Sequence, residues 1–205
     1  MRGNLFLATG LLAVALLSAE SPAQSPAPAP SPPAVIATLA EKNAALTHYT
    51  FTVTAHIALL TFPWIRFTLH GHGTYTRDGP FTVHFDDVPW FGKAYDTMPM
   101  TALDPTTWPD SYAITVAGEE QGVVTLSMRD LKKSPLIEAR AQLDREQGLK
   151  QILWTYNYGG HVKLTVVPQP VDGFYLPSTE EAEIVMPAYR AMAWATFSEY
   201  QVETR

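Results

Sequence analysis

Alternation of apolar and polar residues with a period of two is the feature that most constrains the fold of this chain. In the first such run, Tyr49, Phe51, Val53, Ala55 and Ile57 alternate with threonines and histidines. This period places one set of side chains on a buried face of a β-strand and the other on a polar face. Similar runs, separated by turns rich in glycine, proline and aspartate, continue almost to the C-terminus. The sequence therefore predicts a mainly β protein of about ten antiparallel strands, curled into a sandwich, a barrel or a half-barrel.

One helix is expected before the strands. Apolar residues recur at helical spacing over Val35–Leu46, whereas Glu41 and Lys42 lie on the opposite face. At His48 the period changes from 3.6 residues to 2. We therefore expect a helix over Val35–Leu46 that packs on the concave side of the sheet.

The N-terminal residues are typical of a secretory signal peptide. An apolar run over residues 5–17 follows Arg2 and is shorter than the roughly 18–20 residues that cross a bilayer. Small residues around Pro22 offer a cleavage site before Gln24, and an uncleaved anchor is the alternative. The sequence thus predicts a signal peptide over residues 1–23, a Pro/Ala-rich linker over 24–34 and one folded domain over 35–205. We expect a periplasmic or otherwise exported protein that does not span the membrane after cleavage.

Composition excludes several kinds of partner and of covalent stabilisation. The chain has no cysteine, so neither disulfides nor lipid attachment at an N-terminal cysteine is expected. It carries 14 Lys and Arg against 20 Asp and Glu, a formal net charge of −6, and no long basic run. This mild acidity argues against nucleic acid and anionic lipid headgroups as main partners. The domain must be stabilised by its apolar core.

No sequence motif indicates catalysis. The chain lacks a Gly-x-Ser-x-Gly elbow, a phosphate-binding loop, a dinucleotide fingerprint and a His-Glu-x-x-His motif. Carboxylate pairs occur at Asp86–Asp87, Glu119–Glu120 and Glu180–Glu181. Adjacent strand residues point to opposite faces, so we interpret these pairs as turn and edge charges. We therefore predict neither enzymatic activity nor a cofactor.

The segment Pro89–Asp110 interrupts the strand pattern and is unusually apolar for a loop. It contains Trp90, Phe91, Met98 and Met100. Long apolar loops are commonly functional or packed over another surface. We predict a lid over an apolar cavity, in which the methionines form an adaptable lining. A structural plug at one end of the sheet is the alternative.

The lid and the apolar strand faces together define a predicted ligand-binding site. Its predicted residues are Phe51, Val53, Phe67, Leu69, Phe81, Phe85, Trp90, Phe91, Met98, Met100 and Trp154. Trp154 belongs to an aromatic stripe with Tyr156 and Tyr158, for which core packing is an equal interpretation.

Four polar residues gather on one predicted hairpin, and a metal site is one interpretation of them. They are His70, His72, His84 and Asp86. A register that pairs Tyr75 with Phe81 sets His72 opposite His84, and His70 opposite Asp86. Opposed side chains of this kind can share zinc or copper. They lie on the polar face of the strands, however, so a solvent-facing cluster without metal is the default prediction.

Several turn and strand segments resemble those of a known superfamily. They are His70–Tyr75, Asp78–Phe81, Val88–Pro89, Ile137–Leu143, Asp144–Gly148, Tyr158–Gly160, Gly173–Pro177 and Phe197–Tyr200. On these segments the chain is similar to the periplasmic lipoprotein carriers of the LolA/LolB-like superfamily. The resemblance extends over roughly residues 35–203. It implies an incomplete antiparallel β-barrel whose apolar concave side, covered by a lid, binds acyl chains, lipids or hydrophobic peptides.

These observations predict periplasmic binding or carriage of a hydrophobic ligand, such as a lipid, an acyl chain or a lipoprotein. The alternative is a protein-interaction or sensor module on the same scaffold, with a plugged cavity and an envelope protein as partner. A metal-binding periplasmic protein is a weaker alternative.

We expect the exported protein to begin near Gln24, because the apolar run before it is too short to span a bilayer. N-terminal sequencing of exported material measures this directly. Exported material that still begins with Met1 would show that the segment is an anchor.

Overall fold

Every strand that the structure describes belongs to one antiparallel sheet. The structure, a computed structural model, describes residues 33–89, 97–132 and 134–205. One helix, α1 (Ala34–Lys42), precedes the strands. The strands are β1 (Leu46–Leu59), β2 (Arg66–Thr76), β3 (Phe81–Phe85), β4 (Thr97–Pro99), β5 (Tyr112–Glu120), β6 (Val123–Asp130), β7 (Leu136–Asp144), β8 (Gly148–Tyr156), β9 (His161–Val171), β10 (Phe174–Met186) and β11 (Tyr189–Thr204). The prediction of one helix and a curved antiparallel sheet is confirmed, with eleven described strands instead of about ten.

The strand order shows why the sheet must curve. The order is β4-β3-β2-β1-β11-β10-β9-β8-β7-β6-β5, so β4 and β5 lie at opposite edges. Eleven flat strands would separate these edges by about 48 Å. The chain between β4 and β5 contains two 3-10 helices, Thr101–Leu103 and Pro105–Asp110, and reaches only about 30 Å. The two edges are therefore drawn toward each other, which gives an incomplete barrel.

Residues 100–111, which we name the crossing segment, are tied to the core of this half-barrel. Trp108 is only 2% exposed, and its indole Nε1 donates a hydrogen bond to the carbonyl oxygen of Ala102 at 3.0 Å. Asp104 caps the second 3-10 helix by accepting a hydrogen bond from the backbone N–H of Thr106 at 3.0 Å. The burial of Trp108 anchors the segment at the end that leads into β5, and the two hydrogen bonds stabilise the conformation of the segment itself.

Helix α1 lies on the same concave side and ends earlier than its sequence pattern predicts. Its buried residues Val35, Ile36 and Leu39 belong to the core cluster that contains the inward-facing strand residues. The predicted helix extended to Leu46, but that residue begins β1 and pairs with Thr204 of β11. The guanidinium of Arg77 donates hydrogen bonds to the carbonyl oxygens of Leu46 and Asn43, which satisfies the backbone where the helix stops.

The glycines of β2 permit two close contacts with the neighbouring strands. A Cβ atom at Gly73 would lie 1.9 Å from Cζ of Phe51, so only glycine fits there. At Gly71 a Cβ would lie 2.2 Å from the carbonyl oxygen of His84 on β3. The Gly-x-Gly spacing of β2 therefore serves close packing.

We expect Trp108→Ala to lower the free energy of unfolding by about 3–5 kcal/mol, because it removes a buried indole and leaves a cavity. Trp64→Ala is the matched control, since this side chain is 77% exposed and should change stability by less than about 0.5 kcal/mol. Urea denaturation followed by circular dichroism measures both. Equal effects of the two substitutions would contradict the anchoring of the crossing segment.

Candidate functional site

An apolar cavity of about 220 Å³ lies between the inward face of the sheet and the crossing segment. Its wall combines side chains from β1, β2, β3 and β8–β11 with Met98, Met100, Ala102 and Leu103. Glu180 contributes the single ionisable side chain among the residues of this lining. The arrangement can enclose part of an apolar molecule.

Paired alanines explain why the sheet leaves this space open. Ala55 of β1 pairs with Ala195 of β11, which in turn pairs with Glu180 of β10. One row further along the strands, Ala193 of β11 pairs with Ala182 of β10. The methyl groups of these alanines fill little volume, so the side chains of the sheet do not fill the space on its concave face.

Six of the eleven residues predicted for the site line this cavity. They are Val53, Leu69, Phe85, Met98, Met100 and Trp154. Their assignment as ligand-binding residues stays a prediction. The methionines come from the segment predicted as a lid, whereas the predictions for Trp90 and Phe91 lie outside the described residues.

The other three predicted residues lie beside the cavity. Phe51 and Phe81 are buried in an aromatic cluster, with ring centroids 6.3 Å apart. Tyr49 joins this cluster at 5.9 Å from Phe51 and 6.0 Å from Phe81, and burial raises the pKa of its hydroxyl. Phe67 is half-buried and packs against the core. Inward-facing position alone therefore did not distinguish the cavity wall from the aromatic core.

A second pocket of about 110 Å³, which we name the helix pocket, is more polar. Its polar lining comes from α1, the crossing segment and the β7–β8 turn. These residues are Lys42, Asn43, Asp104, Thr106, Glu146 and Gln147. Leu103 and Glu180 line both the helix pocket and the apolar cavity, so the two spaces meet at these side chains.

Glu180 is the functional candidate that sequence reasoning missed. It is 9% exposed, and its Oε1 has no hydrogen-bond partner among the described residues. The interpretation of Glu180–Glu181 as edge charges is thus wrong for Glu180, although Glu181 is exposed. The available signal was the period of two, because Glu180 is in phase with Ala182 and Ile184 on the inward face.

The environment of Glu180 favours its neutral form. Burial raises the pKa of this carboxyl from 4.5 to about 8, because an apolar surrounding disfavours the charged form. At pH 7 the side chain is therefore mainly a carboxylic acid, which both donates and accepts hydrogen bonds.

The histidine cluster lies on the opposite, solvent-exposed face. The predicted pairing of Tyr75 with Phe81 and of His72 with His84 is observed. The carboxylate of Asp86 lies 3.9 Å from a ring nitrogen of each of these two histidines.

The predicted position of His70 opposite Asp86 is also observed in the backbone, because the N–H of Asp86 donates a hydrogen bond to the carbonyl oxygen of His70 at 2.8 Å. The imidazole of His70 nevertheless contacts the carboxylate of Asp87, at 2.8 Å. Within the described ranges, no group of three or more His, Cys, Asp or Glu side chains could hold a metal ion.

Helix length also bears on membrane association. In the part of the chain that the structure describes, no helix is long and apolar enough to cross a bilayer.

Comparison with known proteins identifies the fold. No family model and no curated protein matches the sequence. A LolA superfamily protein from Nitrosomonas europaea matches with a TM-score of 0.60 and 8% identity, over 84% of this chain and 93% of that one. A DUF1329 family protein from Desulfovibrio piger has a TM-score of 0.60 and 11% identity, over 82% and 92%. A domain named as a candidate outer membrane lipoprotein-sorting protein, from Vibrio parahaemolyticus, has a TM-score of 0.59 and 11% identity, over 82% and 91%.

The chain has the LolA-like fold. The resemblance derived from turn glycines and aromatic residues is thus confirmed at the level of fold. Identities of 8–11% carry no residue-level assignment to this chain.

We expect Glu180→Gln to alter how stability depends on pH. Between about pH 4.5 and 8 the unfolded chain has released the proton that folded Glu180 retains, so stability falls as pH rises. This contribution has a slope of up to about 1.4 kcal/mol per pH unit and is absent from the Gln variant. Urea unfolding of both proteins at several pH values between 5 and 8 measures the difference.

Glu181→Gln is the matched control, because Glu181 is exposed. This substitution should leave the dependence of stability on pH the same as in the wild type. Equal slopes for the wild type and Glu180→Gln would contradict a neutral buried carboxyl.

Proposed function

We propose that this protein binds the acyl chain of a lipid or lipoprotein in the apolar cavity and carries or presents it in the periplasm. The observation that carries the proposal is an apolar cavity left open by paired alanines and covered by the crossing segment. The binding free energy comes from burial of methylene groups, at about 0.8 kcal/mol each. Such a site selects for chain length and shape more than for chemical detail.

The volume of the cavity supports a movable cover. About 220 Å³ is below the 300–1,000 Å³ typical of ligand pockets, so a long chain needs additional space. The crossing segment, which covers the cavity, is fixed more firmly at its β5 end than at its β4 end. Trp108 is buried next to β5, whereas β4 forms a three-residue edge strand paired with β3. We therefore propose that residues 98–101 lift to admit the ligand, whereas Ala102 stays hydrogen-bonded to the indole of Trp108, which acts as the anchor.

The comparisons support the class of ligand and the location. The Vibrio parahaemolyticus domain is named for outer membrane lipoprotein sorting, and the Nitrosomonas europaea protein for the LolA superfamily. Together with the predicted signal peptide, these similarities favour a periplasmic carrier without enzymatic activity.

We expect the wild type to bind a fluorescent diacylated peptide saturably, in a fluorescence titration, and Leu69→Glu to weaken this binding at least tenfold. Leu69 is 4% exposed and lines the cavity, so a glutamate there places a charge among apolar walls. Ala182→Phe tests the same site without charge, because its larger ring fills the space next to Ala193. It should also weaken binding at least tenfold.

Leu131→Glu is the matched control, because Leu131 is 61% exposed and should tolerate the charge. Circular dichroism establishes that each variant is folded. Binding that is indifferent to both cavity substitutions, or no binding by the folded wild type, would favour the interaction-module alternative with a plugged cavity.

A further inference from the structure

Glu180 combines burial with a position between two spaces of different polarity. Its side chain lines both the apolar cavity and the helix pocket. Ala195 is its register partner on β11, so the space beside the carboxyl is left open on that side. One carboxyl oxygen is buried without a hydrogen-bond partner among the described residues. Native proteins rarely leave such a group unsatisfied, and an exception calls for a functional explanation.

We propose that Glu180 recognises the polar group of the bound ligand, and that this ligand is a neutral amphiphile in which an acyl chain is joined to a hydroxyl-bearing ester. The inference rests on the proposed function, because it assumes that the acyl chain occupies the apolar cavity. The ester and hydroxyl then lie at Glu180, and the rest of the headgroup extends into the helix pocket.

The two ends of the site match such a molecule. On one side of Glu180 lie apolar residues such as Leu69, Phe85 and Met100, which suit a hydrocarbon chain. On the other side lie Lys42 and Asp104, which suit a hydrated headgroup. The carboxyl at the junction is the polar group that a chain-only ligand would leave unsatisfied.

A charged ligand fits the surroundings of Glu180 less well than a neutral one. Glu180 takes part in none of the ion pairs found among the described residues. A cationic amine would form an ion pair deep in an apolar site, where both ions lose their hydration. A fatty carboxylate would bring a second acid next to Glu180. A neutral ester accepts a hydrogen bond from the O–H of the carboxylic acid, and a ligand hydroxyl donates one to the carbonyl oxygen of the acid, so no charge is buried.

Other titratable groups line the helix pocket together with Glu180. They are Tyr49 on β1, Tyr75 on β2, Tyr175 on β10, Lys42 on α1, Asp104 on the crossing segment and Glu146 in the β7–β8 turn. Tyr49 and Tyr200 of β11 also interact electrostatically with Glu180. The hydroxyl of Tyr200 already donates to the carbonyl oxygen of Pro177 at 2.6 Å. Burial raises the pKa of Tyr200 as well, so this hydroxyl does not titrate near neutral pH.

Competition against pyrene tests the inference, because this fluorescent hydrocarbon reports on the apolar cavity without polar contacts. The competitors are monolaurin, lauric acid and dodecylamine, which share a twelve-carbon chain (about the same apolar surface in each) and differ in their headgroups. The proteins are the wild type, Glu180→Leu, Glu180→Gln and the control Glu181→Leu.

We expect the wild type to prefer monolaurin to the other two competitors at pH 6.5. Glu180→Leu should reduce the ratio of monolaurin affinity to pyrene affinity at least tenfold, because leucine cannot form hydrogen bonds. Glu180→Gln should keep this ratio within about threefold of the wild type, since an amide still donates and accepts. Glu181→Leu should leave it unchanged. The wild type should lose monolaurin affinity as pH rises through about 8, whereas Glu180→Gln should not.

The possible failures are distinguishable. If pyrene binds but Glu180→Leu retains the monolaurin ratio, the inference about Glu180 is overturned and the proposed function stands. A wild-type preference for dodecylamine that Glu180→Gln abolishes would show recognition of a cation and would also overturn it. If the folded wild type binds neither pyrene nor any competitor, the proposed function itself fails.

Discussion

The short connection between the two edge strands is the constraint on which the rest of the structure depends. Because β4 and β5 lie at opposite edges, the crossing segment can join them only if the sheet is curved. The same residues then lie across the concave face, where Trp108 is buried and Leu103 lines both cavities. The curvature of the sheet and the covering of its concave face therefore both follow from the short connection between β4 and β5.

On the concave face, the sizes of the side chains decide where the protein has a packed core and where it has a cavity. Around Phe51 and Phe81, aromatic rings fill the space, and Gly73 of β2 makes room for the ring of Phe51. A short distance away, Ala55 and Ala195 face each other and fill little. A buried carboxyl beside these alanines lowers stability at neutral pH, which is typical of a position kept for function.

Local chemistry made much of the fold predictable. The pairing of His72 with His84 followed from a period of two and a short turn, because a tight hairpin determines its own register. The end of α1 was not predictable in the same way. Leu46 continues the helical spacing, but it pairs with Thr204 at the far end of the chain, and local sequence carries no information about that partner.

The sequence by itself determined which side chains share a face, because the alternation of a strand is a property of its backbone. It thereby indicated Val53, Leu69 and the apolar lid as parts of one surface. Only the tertiary structure decided which part of that surface became a cavity, because this depends on the pairing of β1 with β11. The burial of Glu180 was decided in the same way, since α1 and the crossing segment, which are distant in sequence, cover the face on which it lies.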